Sequence, residues 1–585
     1  MPATASRALG ILLLPWALLA CAQDETGIER RRPQPGTPAE SRIPEIDPAR
    51  VAPPEAWLPR ETVPVRDRWR ITQALGLLPY NRWDPYNPNF LKGDLPLTQW
   101  EGWFVNLAAI SDTVLEARVL PMSSAAPATQ SPGTNMGTRA GRQTSFVETA
   151  VVSLSLSKGD TVFRPPDYEI RFVPVASWNR VRAEERGVLN VDPGAGLQRN
   201  DDFLGIQELF FEKHLRDVSV RYDFDSVRVG IQPFTADFRG LLFIDQAAGV
   251  RLFGTRDNNQ WQYNAAWLRR LEKDTNSGLN DISQRLRADD VYVFNLYRQD
   301  WPVPGFTTQG VVLHNRNREG DRGPYLNSNG FVERPAVFGS GRPHNYEVTY
   351  AGVNGDGHFG RWNLSASGYY AFGRNEPGSL SNRPENIDAW FGAAELSRDF
   401  DWLRLRATAL YASGDRDPFD GKAGGFDAVL ENPVLAGADT SYWIRQSVPL
   451  LGGGGTALSM RNGLLPSLRT SREHGQSNFT NPGLRLLGVG ADADIAPQLR
   501  LIGNANYLWF DNVSSLATLR NQRLTSRDIG LDLSAGLQYR PLFIQNIVLN
   551  ASLAVLFAGD ALRQLYGSAT DTTQYSALLN AVLTF

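Results

Sequence analysis

The sequence predicts an all-β fold, a transmembrane antiparallel β-barrel of about 18 strands (within 16–20), with short periplasmic turns and long extracellular loops. Three observations predict it. Long segments alternate polar and apolar residues with period two. The connections between them alternate short and long. The chain ends on an alternating segment that stops at Phe585.

The alternation is clearest in four segments. Within 361–373, Trp362, Leu364, Ala366, Gly368, Tyr370 and Phe372 share one face, with Arg361, Asn363, Ser365, Ser367 and Tyr369 opposite. In 528–540, Ile529, Leu531, Leu533, Ala535, Leu537 and Tyr539 oppose Asp528, Asp532, Ser534, Gln538 and Arg540. In 403–411, Arg404, Arg406 and Thr408 oppose Leu405, Ala407 and Ala409, and 547–557 alternates likewise. Half-buried strands of a soluble sandwich also alternate. These segments, however, exceed the usual five or six residues and match tilted membrane strands of about 9–11. Trp362 and Phe372 stand at the two ends of one strand. At roughly 3.3 Å per residue and about 40° of tilt, they lie about 25 Å apart along the membrane normal, the height of a barrel's apolar band.

Connections at 398–401, 494–498 and 540–545 are short, while 413–482, 511–527 and 558–573 are long. Segment 413–482 contains Gly452 to Gly455 and Trp443, and is too long for a plain loop. It predicts a constriction folded into the barrel mouth. At the C-terminus, Tyr575, Ala577, Leu579, Ala581, Leu583 and Phe585 share a face. This resembles the terminal strand that the barrel assembly machinery recognises.

The N-terminus carries an export signal over residues 1–22, with Arg7 followed by an apolar run over 9–20. Ala20-Cys21-Ala22 fits a cleavage site, and Leu18-Leu19-Ala20-Cys21 fits a lipobox that would leave Cys21 lipidated; both readings stand. Residues 23–98 read as a Pro-rich periplasmic segment and 99–585 as the barrel. After the leader no stretch is apolar enough, over roughly 18–20 residues, for a membrane helix.

Composition excludes several functions. With 59 Lys+Arg against 62 Asp+Glu, the charge balance gives no whole-chain case for nucleic-acid binding. Cys21 is the sole cysteine, so disulfides, thiolate metal sites and an attached c-type haem are excluded. The five histidines (His214, His314, His344, His358 and His474) include no i, i+4 pair, and His474 near Ser471 and Ser477 belongs to no triad motif. We therefore expect no metal, no cofactor and no enzyme activity. The N-terminal segment is too short for the plug of a TonB-dependent transporter.

Eighteen strands leave a water-wide lumen. On the inward register stand Arg228, Arg361, Arg404, Arg406, Arg500 and Arg540, with Asp528, Asp532 and Glu347. Guanidinium forks hold carboxylates bidentately, which suits an anionic solute. Equally, each Arg can pair with a wall carboxylate as bracing.

Three segments resemble alginate-export-type outer-membrane proteins. They are Val229-Gly230-Ile231-Gln232 followed by Asp237 and Arg239, Ser413-Gly414-Asp415-Arg416-Asp417-Pro418 with Phe426, and Asn478-Phe479-Thr480-Asn481-Pro482-Gly483-Leu484. The resemblance covers roughly 215–585. It implies an 18-stranded monomeric barrel whose Arg-rich lumen passes an anionic uronate polymer, and it adds Asp237 and Arg239 to the solute path. The family's Gly-Arg-Gln stands here as Gly230-Ile231-Gln232. The expected function is therefore an outer-membrane channel for an anionic solute or polysaccharide. The alternative is a barrel that houses a partner, such as a multihaem cytochrome. Expected partners are outer-membrane lipid, the assembly machinery at Phe585, the solute, and a periplasmic protein.

Overall fold

The computed structural model describes residues 76, 84 and 89–585, apart from 98, 101, 124–137, 160–164, 185, 187–188, 220–222, 324, 331, 334–342, 379, 438–439, 446–474, 522, 542–545, 568–570 and 572. The leader, Cys21, most of the Pro-rich segment, Gly452 to Gly455, Ser471 and His474 lie outside the described residues.

Eighteen long antiparallel strands form one sheet, joined by the two-residue piece Lys422–Ala423. They are β1 (Trp103–Ser123), β2 (Thr138–Lys158), β3 (Tyr168–Ala183), β4 (Gln198–Asp217), β5 (Phe224–Thr235), β6 (Ile244–Arg256), β7 (Trp261–Arg269), β8 (Asp289–Arg298) and β9 (Phe306–Asn317). The second half holds β10 (Asn345–Phe359), β11 (Trp362–Glu376), β12 (Glu385–Phe400), β13 (Leu403–Ala412), β14 (Leu484–Ala496), β15 (Leu499–Trp509), β16 (Asp528–Tyr539), β17 (Ile547–Ala558) and β18 (Gln574–Thr584). Each pairs with its sequence neighbour, and β18 returns to β1 with Ile110 opposite Thr584 and Val119 opposite Tyr575. The ring has no free edge, so its backbone groups are paired within the sheet, which lipid requires. The strand number agrees with the sequence reading. The first strand begins close to the start of the segment 99–585 read as the barrel.

The short connections, such as 360–361, 401–402 and 497–498, all fall at the end of the barrel where β1 begins and β18 stops. The long connections fall at the other end, the extracellular side of such barrels. Large apolar side chains face outward, among them Trp362, Phe372, Leu405, Leu487 and Leu553. A soluble chain does not expose a continuous apolar belt. Closure, belt and turn pattern together place the chain in the Gram-negative outer membrane.

Two stretches depart from the expected register. Asp528 pairs with Trp509 while Gly530 pairs with Leu508, so Ile529 is the extra residue of a β-bulge. The bulge turns Ile529 into the interior, where it is fully buried, and leaves Asp528 on the outward side with Trp509. Glu347 also faces outward: its neighbours Tyr346 and Val348 fill the interior, and its carboxylate meets Arg316 and Arg318.

At the periplasmic end, Phe585 and Ala109 exchange both backbone hydrogen bonds, at 2.8 and 3.1 Å. Lys92 bridges to Asn106 of β1 and sets its ammonium 4.0 Å from the Phe585 ring centre. Phe585 thus extends the seam that closes the barrel. Deleting Phe585 should lower the amount of heat-modifiable, folded barrel in outer membranes several-fold. Normal levels would count against a role in closure.

Candidate functional site: a loop-narrowed, arginine-lined lumen

Two extracellular loops fold into the lumen. The shorter, 236–243, turns on Asp237, whose carboxylate accepts from the N–H groups of Arg239, Leu241 and Leu242 at 2.9–3.1 Å. Asn295 of β8 and Gln309 of β9 both donate to Ala236 O. Buried Leu242 and Phe243 then pack against the second loop, where Val429 N–H donates to Leu242 O and Phe243 bridges to Leu430.

The second loop, 413–483, crosses the interior from wall to wall. Tyr350 of β10 donates to Asp427 O at 2.7 Å. Ala436 N–H donates to Glu395 of β12, and Asn506 of β15 donates to Ala436 O. Thr440 meets Ser534 of β16, Trp443 N–H donates to Asp532, and Tyr442 donates to Val119 O of β1. Phe426, Leu430, Tyr442 and Trp443 are all buried. The expected constriction is thus present in the described parts of this loop.

The motifs that carry the family resemblance hold the two ends of this loop together. Ser413 donates to Gly424 O, Asp415 N–H to Asn481 O, and the Asn481 side chain to Phe426 O. Asn478 N–H donates to Asp427. Gly483 has a positive φ of 65°, and a side-chain carbon there would lie 2.4 Å from Ala412 O. Only glycine fits that approach.

Below the loop, toward the periplasmic end, lies a polar cavity of about 430 Å³. Its lining includes Arg239, Arg404, Arg406 and Arg500, facing Asp356, Glu395 and Asp492. Four of the eight arginines and acids expected on the solute path therefore converge here. Arg239 is a strut from the short loop. It donates to Ser365 Oγ at 2.8 Å and to Val434 O at 3.3 Å, and lies 3.5 Å from Asp356 and 3.9 Å from Glu395. Arg406 is clamped by Asp492 at 2.9 Å and Asn504 at 2.8 Å, with Glu395 at 3.7 Å. Arg404 pairs with Asp399 at 2.5 Å, and Arg500 pairs with Asp494 at 2.6 Å.

The other four sit elsewhere. Arg228 faces inward from β5 away from this cavity, donating Nε and Nη2 to one Glu212 oxygen at 2.8 and 2.5 Å beneath the Phe210 ring. Arg361 occupies the turn before β11, exposed and on no strand, so the alternation that placed it inward does not reach it. Arg540 follows β16 at the periplasmic rim, donating to Gln538 at 2.7 Å. Asp237 is consumed by the loop N–H groups, so its position is that of a turn anchor. Ile231, where the resemblance lacks a basic residue, shares the outward face of β5 with exposed Val229.

Sequence reading missed a buried ionic cluster at the extracellular end. Arg270 contacts Asp245 at 3.3 Å and Asp289 at 3.1 Å, and Lys273 contacts Asp245 at 2.5 Å. Arg287 holds Glu319 at 2.9 Å and Gly475 O at 3.0 Å. All six side chains are almost fully buried. Removing one partner of such a network costs about 3–5 kcal/mol. Among the described residues no group of three or more His, Cys, Asp or Glu is arranged to hold a metal ion.

No family model and no curated protein matches the chain. Among solved structures it is similar to OccK9 (OpdG) of Pseudomonas aeruginosa, at 12% identity over 82% of this chain and 98% of that one, TM-score 0.42. It is similar to OccAB3 of Acinetobacter baumannii, at 10% identity over 82% and 99%, TM-score 0.41. It is also similar to a BenF-like porin from Pseudomonas fluorescens Pf-5, at 10% identity over 82% and 98%, TM-score 0.40.

The long loop carries a titrating group. Burial raises the Asp415 carboxyl to about 7, and Glu385, Asp420 and Asp417 add to the rise, while the Gly424 N–H opposes it. A carboxyl whose pKa rises on folding stabilises the packed loop when protonated. That contribution is full below the ordinary carboxylate range near 4 and is lost as pH climbs to about 7. Amide-exchange protection over 413–437 should therefore be higher at pH 5 than at pH 8. Asp415→Asn should remove the difference; a difference that persists would assign it to another group.

Proposed function

We propose that this chain is a passive outer-membrane channel for small anionic solutes, best suited to an acidic sugar or short oligouronate. The observation that carries this reading is the polar cavity beneath the loop, where four guanidinium groups from a loop and two strands face three carboxylates. Arginine forks supply the donors a carboxylate needs. The intervening carboxylates, with Asn363, Ser365 and Thr440, suit the hydroxyls of a sugar. The resemblance to alginate-export proteins points to the same solute class.

The residues divide by exposure. Arg406 is 11% exposed and holds three partners, so it braces the wall. Arg404 and Arg500 are 48% and 40% exposed, and their acids are similarly open. Ion pairs that exposed contribute only about 0–1 kcal/mol, so a solute carboxylate can take over the forks at little cost. The partner-housing alternative has less support. At the level of the loop, the space a partner would need is filled by Phe426, Leu430, Tyr442 and Trp443.

The test is single-channel recording in planar bilayers with galacturonate as blocker. Wild type should be anion-selective and blocked. Arg404→Gln with Arg500→Gln should weaken block about tenfold and move the reversal potential toward neutrality, without loss of folded protein. Unchanged block would remove these side chains from the path. Correctly folded barrels with no conductance would overturn the channel reading.

A further inference from the structure

The outer wall of the barrel carries a second cavity, separate from the lumen. It is an open groove of about 1000 Å³ across β12–β15, near the extracellular ends of those strands. Its floor is made of small outward residues, Gly392, Ala394 and Ala409, with Leu487 beside them. A side-chain carbon built on Gly392 meets nothing within 4 Å, so the space above it is open. Across the top, one register row runs Gly392, Tyr411, Arg485 and Trp509. Tyr and Trp at that height mark the headgroup region of a bilayer. The apolar part of the groove therefore lies at acyl-chain depth.

The rim is cationic. Arg485 is about half exposed and spends Nε and Nη2 on one oxygen of Asp511, at 2.8 and 2.6 Å, which leaves Nη1. Arg527 lines the groove and is exposed, with no ion pair among the described residues. Arg416, just beyond β13, is exposed and interacts electrostatically with Tyr411. The acids nearby are already engaged. Asp511 is held by Arg485, Asp417 caps the Phe419 N–H, and Asp528 lies against Tyr507. An open, largely apolar groove that ends at two or three open guanidinium groups is complementary to a lipid with a phosphorylated head.

We propose that this groove binds a phosphorylated lipid of the outer leaflet, with an acyl chain over Gly392, Ala394 and Ala409 and a phosphate at Arg485, Arg527 and Arg416.

The test is native mass spectrometry of the detergent-purified full chain, titrated with bisphosphorylated lipid A. Wild type should retain one lipid. Gly392→Leu with Ala409→Leu, which fills the groove and leaves every arginine in place, should reduce retention at least tenfold. Arg416→Ala with Arg527→Ala, which spares the Arg485–Asp511 pair, should do the same. Heat-modifiable migration verifies that each variant is folded. Inorganic phosphate at equal concentration should not displace the lipid. Equal retention by all three proteins would overturn the proposal, as would displacement by phosphate alone. A protein dimer that dissolves when the groove is filled would also overturn it, by assigning the groove to a second copy of the chain.

Discussion

Closure of the sheet between its first and last strands is the constraint on which the rest of the structure depends. Lipid offers no hydrogen bonds, and each unpaired backbone group there costs several kcal/mol. Pairing Ile110 through Val119 of β1 with Tyr575 through Thr584 of β18 removes the two edges that an open sheet would present. Once the ring closes, every strand has one lipid face and one lumen face. The period-two pattern is the sequence record of that division. Strand direction likewise sends the connections alternately to the two membrane faces, where the extracellular ones are free to lengthen.

A ring of 18 strands encloses more space than its own wall side chains can fill. This chain fills part of it with loops 236–243 and 413–483. Their anchoring follows the rule for buried polar groups: several inward Asn, Gln and Asp side chains of the wall find a backbone partner on a loop. Asn295 and Gln309 hold Ala236, Asn506 holds Ala436, and Asp532 holds Trp443. The same contacts confine the polar cavity beneath. On the function proposed above, bracing and solute binding would share one set of arginines, with exposure dividing the two roles.

Much of the fold was legible because its signal is local. Alternation, turn length and the terminal Phe585 are each visible in a window of a dozen residues. The errors came where local register fails. A single bulge at Trp509 and Asp528 reverses the face of Asp528 and Ile529, and a two-residue turn takes Arg361 off the strand. Asp237 was legible as a motif residue but not as a turn anchor, because its ligands are backbone N–H groups that no side-chain pattern records. The buried cluster of Asp245, Arg270, Lys273, Arg287, Asp289 and Glu319 was illegible for another reason. Its members lie on β6, β8 and the loops beside them, and folding puts each within 3.6 Å of an oppositely charged partner. The same holds for Arg239, whose contacts with Ser365 and Val434 span 126 and 195 residues of sequence.

A loop-narrowed lumen lined by open arginines should pass acids in preference to neutral molecules of equal size. The direct measurement is liposome swelling with the purified full chain, comparing galacturonate with galactose under iso-osmotic conditions. Swelling should be faster with the acid, by a difference that shrinks as salt screens the cavity charges. Equal rates, or faster entry of the neutral sugar, would contradict it.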